Sequence, residues 1–334
     1  LGLIVMDEEQ ESTYKSESTP RYHARDIAKF RVNYNRAYCL LCSATPSVES
    51  YYMAQSGKYR YHALHHRYGD AVVPTVQLVD MNNEDLYRGK PMISMALARA
   101  VSENIRAGRQ SILLLNRRGY HTYAVCKDCK TVAACPNCSI SMTYHAANNR
   151  LMCHYCGHSE PAYVRCKACG GELTFSGGGT QKAEDQLREA FPEARILRVD
   201  TDTTANKYAL EKKLNAFANG EYDIMIGTQM VAKGLDFENV TLVGVLSADQ
   251  SLYSDDYRSN ERTFDLLTQV VGRAGRGRYR GTALIQTHVP ENPYLHLAAA
   301  QDYESFFETE IRFRRAMLYP PFADLLQIGF VGEK

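Results

Sequence analysis

Eight cysteines between Cys126 and Cys169 form four C-x-x-C pairs: Cys126/Cys129, Cys135/Cys138, Cys153/Cys156 and Cys166/Cys169. Each pair turns tightly enough to offer two thiolates to one ion, and zinc (Zn2+) is the metal that favours four sulfurs in a tetrahedron. Four pairs make two four-cysteine sites, closed to water and therefore structural. Sequence alone allows three ways of matching them. The 14 residues between Cys138 and Cys153 are close to zinc-ribbon spacing, which favours joining the second pair to the third and the first to the fourth. His145, His154 and His158 lie nearby, but eight thiolates suffice. The chain carries no recognisable secretory signal, so a reducing compartment and metal ligation are expected rather than disulfides.

The second candidate chemistry is nucleotide hydrolysis. The apolar run "LGLIVM" ends in Asp7, Glu8, Glu9 and Gln10. Three adjacent carboxylates repel one another, so their position at a strand end needs a reason. At the carboxyl edge of a parallel sheet one acid can hold magnesium (Mg2+) through water, and a second can deprotonate the attacking water. That assigns Asp7 to magnesium and Glu8 to the water, and leaves Glu9 for local hydrogen bonding. "CSATPS" (42–47), which holds Ser43 and Thr45, puts a hydroxyl-rich turn after a second strand, with Ser47 as a helix cap. "QVVGRAGR" (269–276) spaces Arg273 and Arg276 three apart, on one face if helical. Gly272 and Gly275 would let a ligand approach closely. Such a pair can stabilise charge on a γ-phosphate, with Gln269 beside it.

These groups need a scaffold of parallel strands. Short apolar runs alternate with helical patterns: "LGLIVM", "YCLLC" and "YRYHAL" as strands, with helices over 24–35 and 47–57. A connection over 65–90 contains one strand, "TVQLVD". A second unit follows with helix 93–108 and strand "SILLLN", is interrupted by the cysteines, and resumes with "ELTFS", "RILRVD", "DIMIGT", "VTLVGVL" and "GTALIQT" between helices. The last run, "LLQIGFVGEK", reads as a further strand. The fold class is therefore α/β with parallel sheets. The chain of 334 residues is 45% hydrophobic with a net charge of +1, which signals no nucleic-acid partner by itself. No apolar run approaches the ~20 residues that cross a bilayer, so no membrane is expected.

The ordered set of motifs resembles the superfamily 2 helicases, whose motor has two RecA-like lobes with ATP between them. The resemblance implies motif II at residues 7–10, motif III at Ser43-Ala44-Thr45, motif V around Gly227–Asp236 and motif VI at Gln269–Arg276. Gly234 and Asp236 would help couple nucleotide to DNA. A cysteine module inside the second lobe narrows the resemblance to the PriA family of bacterial replication-restart helicases. "RYHARDIA", "LLLNRRGY", "GGGTQKAEDQL" and "SADQSLYSDDYRSNERTFDLLTQVVGRAGR" agree with it. It implies a 3′-to-5′ DNA helicase that remodels stalled forks in the bacterial cytoplasm. Its partners would be forked and single-stranded DNA, single-stranded-DNA-binding protein and other primosome proteins.

Under that resemblance residues 1–64 are the C-terminal part of lobe 1, and 65–90 connect the lobes. Residues 91–120 with 172–290 form lobe 2, 121–171 are the zinc insertion, and 291–334 start a C-terminal region. The loop after motif II would be an aromatic-rich DNA sensor, with Tyr14, Tyr22 and His23 for stacking and Lys15, Arg21 and Arg25 for phosphate. Gln10 stands where the family usually has His. G-x-x-x-x-G-K-[S/T], the phosphate cradle, is missing, since Gly57-Lys58 is followed by Tyr59 and Gly89-Lys90 by Pro91. The expectation is a truncated first lobe, with the cradle upstream of Leu1 and no ATP turnover by this chain alone. Competing readings are another DNA or RNA translocase, a zinc-dependent DNA-binding scaffold without ATPase activity, and a free-standing single-strand-binding zinc ribbon.

Overall fold

The computed structural model describes residues 1–16, 18–64, 74–115, 122–145, 148–153, 156–176, 180–199, 207–228, 231, 237–254, 256–275 and 279–326. The chain divides into two units, residues 1–65 with 303–334 and residues 66–302.

In the first unit β1 (Leu3–Asp7) pairs in parallel with β2 (Tyr38–Cys42), which sets Asp7 opposite Cys42. Between them α1 (Ala24–Asn35) starts at His23, whose Nδ1 accepts the Arg25 N–H, and ends at Arg36 in the left-handed conformation. Helix α2 (Val48–Gln55) starts at Ser47, whose hydroxyl accepts the Ser50 N–H and satisfies an otherwise orphan donor. The run 59–64, read as a strand, forms none. Tyr61 and Leu64 are 52% and 98% exposed, so its apolar residues have no sheet to pack on.

The second unit is built on six parallel strands. In chain order come β3 (Thr75–Asp80), α3 (Met95–Arg106) and β4 (Gln110–Leu115), whose every residue is buried. An insertion follows, with β5 (Thr122–Cys126), β6 (Thr143–His145), β7 (Arg150–Met152), β8 (Ser159–Pro161) and β9 (Leu173–Ser176). The parallel fold resumes with α4 (Thr180–Ala190), β10 (Ile196–Val199), α5 (Lys207–Ala218), β11 (Ile224–Gly227), β12 (Val240–Ser247) and α6 (Asp249–Leu252). It closes with α7 (Ser259–Val271), β13 (Thr282–Thr287) and α8 (Pro293–Ala300). The strand order is β10-β11-β4-β12-β13-β3. Near-continuous apolar runs in β4, β11 and β12 follow from this arrangement, because a parallel sheet is covered on both faces. The last helix, α9 (Tyr303–Ala316), belongs to the first unit and packs on α2.

The insertion has its own antiparallel sheet, in the order β8-β7-β6-β5-β9. Strand β9 contains "LTFS", which the sequence pattern placed in the parallel unit. It pairs instead with β5, Cys126 opposite Leu173, and closes the module. A 3.6- or 2-residue period does not reveal a strand's partner, so sequence could not separate the two sheets. The run 325–334, read as a final strand, lies largely outside the described residues, and Leu325 and Leu326 form no strand.

Candidate metal centres and nucleotide site

The eight cysteines converge in two groups, Cys126, Cys129, Cys166 and Cys169, and Cys135, Cys138, Cys153 and Cys156. Within each group the sulfurs all lie within 4.8 Å of one another. First joins fourth and second joins third, the nested matching that the gap lengths favoured. Cys126 Sγ is 3.5 Å from Cys169 Sγ, Cys129 Sγ is 3.6 Å from Cys166 Sγ, and Cys135 Sγ is 3.5 Å from Cys156 Sγ. A disulfide would bring sulfurs to ~2.05 Å. Zinc–sulfur bonds of ~2.3 Å set the edges of a tetrahedron at ~3.8 Å. The spacing therefore fits four ligands around one zinc ion.

Backbone geometry builds each knuckle. The Asp128 and Ala168 N–H groups donate to Cys126 Sγ and Cys166 Sγ at 3.4 Å, and Gly171 N–H donates to Cys169 Sγ at 3.4 Å. Lys130 and Ser139, just beyond two of the pairs, take φ of 58° and 57° to complete the turns. Hydrogen bonding with Thr131 pulls the Cys129 thiol down to about 6, while burial pushes the Cys138 thiol above the ordinary thiol range. Thiols bind a divalent ion as thiolates, so metal binding releases their protons. Neither metal group includes His145 or His158, and His154 lies outside the described residues.

At the end of β1 the three acids part company. Asp7 is exposed, and its Oδ1 accepts the Glu8 N–H at 3.1 Å. Glu8 takes a left-handed backbone, φ 49°, and its Oε2 accepts Gln10 Nε2 at 2.7 Å. Gln10 Oε1 in turn accepts the Ser43 hydroxyl at 2.6 Å, and Ser43 Oγ accepts the Thr45 N–H at 2.9 Å. A relay thus runs from Glu8 through Gln10 to the turn after β2. Glu9 faces the other way and is 2% exposed. Its Oε1 accepts the Ser47 N–H at 2.6 Å, and its Oε2 accepts Arg25 Nη1 at 2.7 Å, Ser50 Oγ at 3.1 Å and Ser47 Oγ at 3.2 Å.

The loop residues expected to meet DNA divide in the same way. Arg21 and Tyr22 are exposed. Tyr14 donates its hydroxyl to the Asp7 carbonyl at 2.8 Å, and Lys15 Nζ donates to the Arg21 carbonyl at 2.7 Å. His23 caps α1. Arg25 departs furthest from expectation: its Nη1 is committed to Glu9, Ser47 and Ser50, because a buried carboxylate needs a cation more than an exposed phosphate site does.

Gln269 and Arg273 are half-buried at the end of α7. The helix stops at Val271, so Arg273 lies in the turn beyond it. Gly272 caps the helix, and Gly275 takes φ 72° in the turn that follows. A Cβ there would sit 2.2 Å from the Gly281 nitrogen, so this glycine serves backbone packing rather than approach of a ligand. Arg276, Gly234 and Asp236 lie outside the described residues. Sequence reasoning gave Glu9 local hydrogen bonding and Ser47 a capping role, but missed that Arg25 and Ser50 join them in one hub.

Residues 135–161 match the PriA DNA helicase Cys-rich region (CRR) domain, and residues 173–278 match the helicase conserved C-terminal domain. Replication restart protein PriA of Bacillus subtilis (strain 168) is 49% identical over 100% of this chain, which covers 42% of that protein. The protein of the same name from Chlamydia trachomatis serovar D is 43% identical over 100% of the chain, covering 45% of its length. The chain spans about half the length of the curated relatives it matches. With identity running end to end, and with both four-cysteine clusters in the expected module, the chain belongs to the PriA family of replication restart proteins.

Proposed function

We propose that this chain carries the water-activating site and the zinc module of an ATP-dependent 3′-to-5′ DNA helicase that remodels stalled replication forks. The observation that carries the reading is the relay from Glu8 through Gln10 to Ser43, beside an exposed Asp7 at a parallel strand's carboxyl end. Asp7 would hold magnesium, which neutralises charge on the β- and γ-phosphates of ATP. Glu8 takes the proton of the attacking water, and Gln10 fixes the orientation of its carboxylate. Glu9 lies buried in its hub and takes no part in the chemistry. Arg273, Arg276 and Gln269 supply charge and hydrogen bonds to the γ-phosphate, and Gly234 and Asp236 couple nucleotide to DNA.

The loop over 12–23 offers Tyr22 for base stacking, with Arg21 and Lys15 for phosphate. Tyr14 ties that loop to Asp7. Forked and single-stranded DNA are the substrates in this reading, and single-stranded-DNA-binding protein and other primosome proteins are the partners, in the bacterial cytoplasm. No described helix is long and apolar enough to cross a membrane. The sequence has no G-x-x-x-x-G-K-[S/T], so this chain alone lacks the phosphate cradle and should not turn over ATP.

The test is ATP hydrolysis by the natural gene product that contains this sequence, with and without forked DNA. Fork-stimulated turnover that Glu8→Gln lowers by at least ~10²-fold supports the reading. Turnover that persists in Glu8→Gln would remove Glu8 from its role.

A further inference from the structure

Helix α9 returns from far along the chain to the turn that follows β2. The Tyr303 hydroxyl donates to the Pro46 carbonyl at 2.5 Å, across 257 positions of sequence. That carbonyl precedes the cap of α2 and lies outside the helical ladder, so it needs a donor from elsewhere. Its neighbours are fixed too. Thr45 N–H donates to Ser43 Oγ, the end of the relay from Glu8, and Ser47 N–H donates to Glu9 Oε1. Thr45 and Ser47 are both buried. The Thr45 N–H, the Pro46 carbonyl and the Ser47 N–H are thus each held by a different partner, and of these three partners only Tyr303 comes from outside the acidic strand end and its adjoining turn.

The rest of α9 fixes where that hydroxyl sits. Tyr303, Phe307, Glu310 and Arg314 follow the i, i+4, i+7, i+11 spacing of a single helix face. The Tyr303 and Phe307 rings meet the Tyr51 ring edge-on, at centroid distances of 5.1 and 4.7 Å. Arg314 is fully buried. Its Nη1 is 3.3 Å from Glu49 Oε1 in the first turn of α2, and its Nε donates to Glu310 Oε1 at 3.0 Å. Ring packing at one point and an ion pair at another prevent α9 from sliding along α2.

We infer that Tyr303 is a positioning residue for the acidic site. Its hydroxyl sets the Thr45–Ser47 turn, and through Ser43 and Gln10 that turn orients Glu8. The inference rests on the proposed function for its kinetic part, because orienting Glu8 matters only if Glu8 activates water. If α9 were merely core, phenylalanine would fill the same space.

Tyr303→Phe keeps the ring and removes one oxygen. In the natural gene product, amide exchange at Thr45 and Ser47 should rise about five-fold, the effect of losing one hydrogen bond, with Ala28 and Val32 in α1 unchanged. DNA-stimulated ATP hydrolysis should lose about five-fold in kcat with KM for ATP unchanged, the signature of a group that orients the reacting residues. Unchanged exchange at Thr45 and Ser47 overturns the inference. Faster exchange with wild-type kcat also overturns it, since the contact would then be packing alone. If the unsubstituted protein hydrolyses no ATP, the helicase reading fails separately, and exchange at Thr45 and Ser47 alone decides whether Tyr303 sets the turn.

Discussion

The Arg25 guanidinium lies 2.7 Å from the Glu9 carboxylate, and their side chains are only 13% and 1% exposed. One arginine therefore ties the start of α1 to the end of β1, and the shared serines bring in the start of α2. Removing one partner of a buried pair strands the other charge, at a cost of about 3–5 kcal/mol. Arg25→Ala and Glu9→Gln should each lower stability by roughly that amount, measured by chemical unfolding, and the double variant should cost less than the two added together. Additive losses would mean that the two side chains do not form a pair in solution.

The nested cysteine matching can be checked by counting metal. The unaltered chain should bind two equivalents of zinc. Cys126→Ser/Cys169→Ser should retain one, because both ligands leave the same site. Cys126→Ser/Cys135→Ser should retain none, because each site loses a ligand. Equal stoichiometry in the two double variants would refute the matching.

Acid should loosen the edge of the six-stranded sheet. Hydrogen bonds from Arg195 hold the Asp223 carboxyl below its ordinary value. A lowered carboxylate adds stability above the unfolded-state pKa, about 3.9, and that stability is lost as pH falls through the folded-state value. Asp223→Asn should therefore lower the urea midpoint at pH 7, modestly because the Arg195 side chain is 56% exposed, and match the parent in strong acid, which flattens the fall below about pH 4. A steep acid limb that survives in the variant would assign it to other carboxylates.

The relay predicts coupled kinetic losses. Ser43→Ala and Gln10→Ala should each slow ATP hydrolysis in the natural gene product by about five-fold or more, the effect of one hydrogen bond. Together they should cost little more than the larger single change, because they break the same chain. Independent, multiplying effects would argue against a relay.

In the loop, Tyr22→Ala should weaken single-strand binding by about 1–3 kcal/mol by fluorescence anisotropy, the range for a lost stacking platform. Arg25→Lys should leave the intrinsic DNA affinity of folded protein unchanged, since that guanidinium is spent on Glu9.

Most strands and helices were readable because their apolar periods are strong. Helix α1 spans the very residues its pattern marks, and the C-x-x-C pairs with the gap lengths between them favoured the matching that the two clusters show. What escaped sequence reasoning was pairing over distance. Arg25 looks like its neighbour Arg21 in a basic and aromatic loop, and only the fold decides which of them meets a buried acid. The end of α7 looked helical through Gly275, yet the helix ends at Val271, and the close approach of Gly275 to Gly281 beyond it is made only in three dimensions. Nothing local in Tyr303 marks its partnership with Pro46.

The zinc module leaves the parallel unit after β4 and rejoins it before α4, and its first and last strands, β5 and β9, lie side by side. Departure and return therefore share one doorway. A short hairpin could bridge the same gap, so the six-stranded sheet does not depend on the module for its continuity. Metal starvation would on this plan be a local injury: the outgrowth would come apart, while the sheet beneath it kept its register.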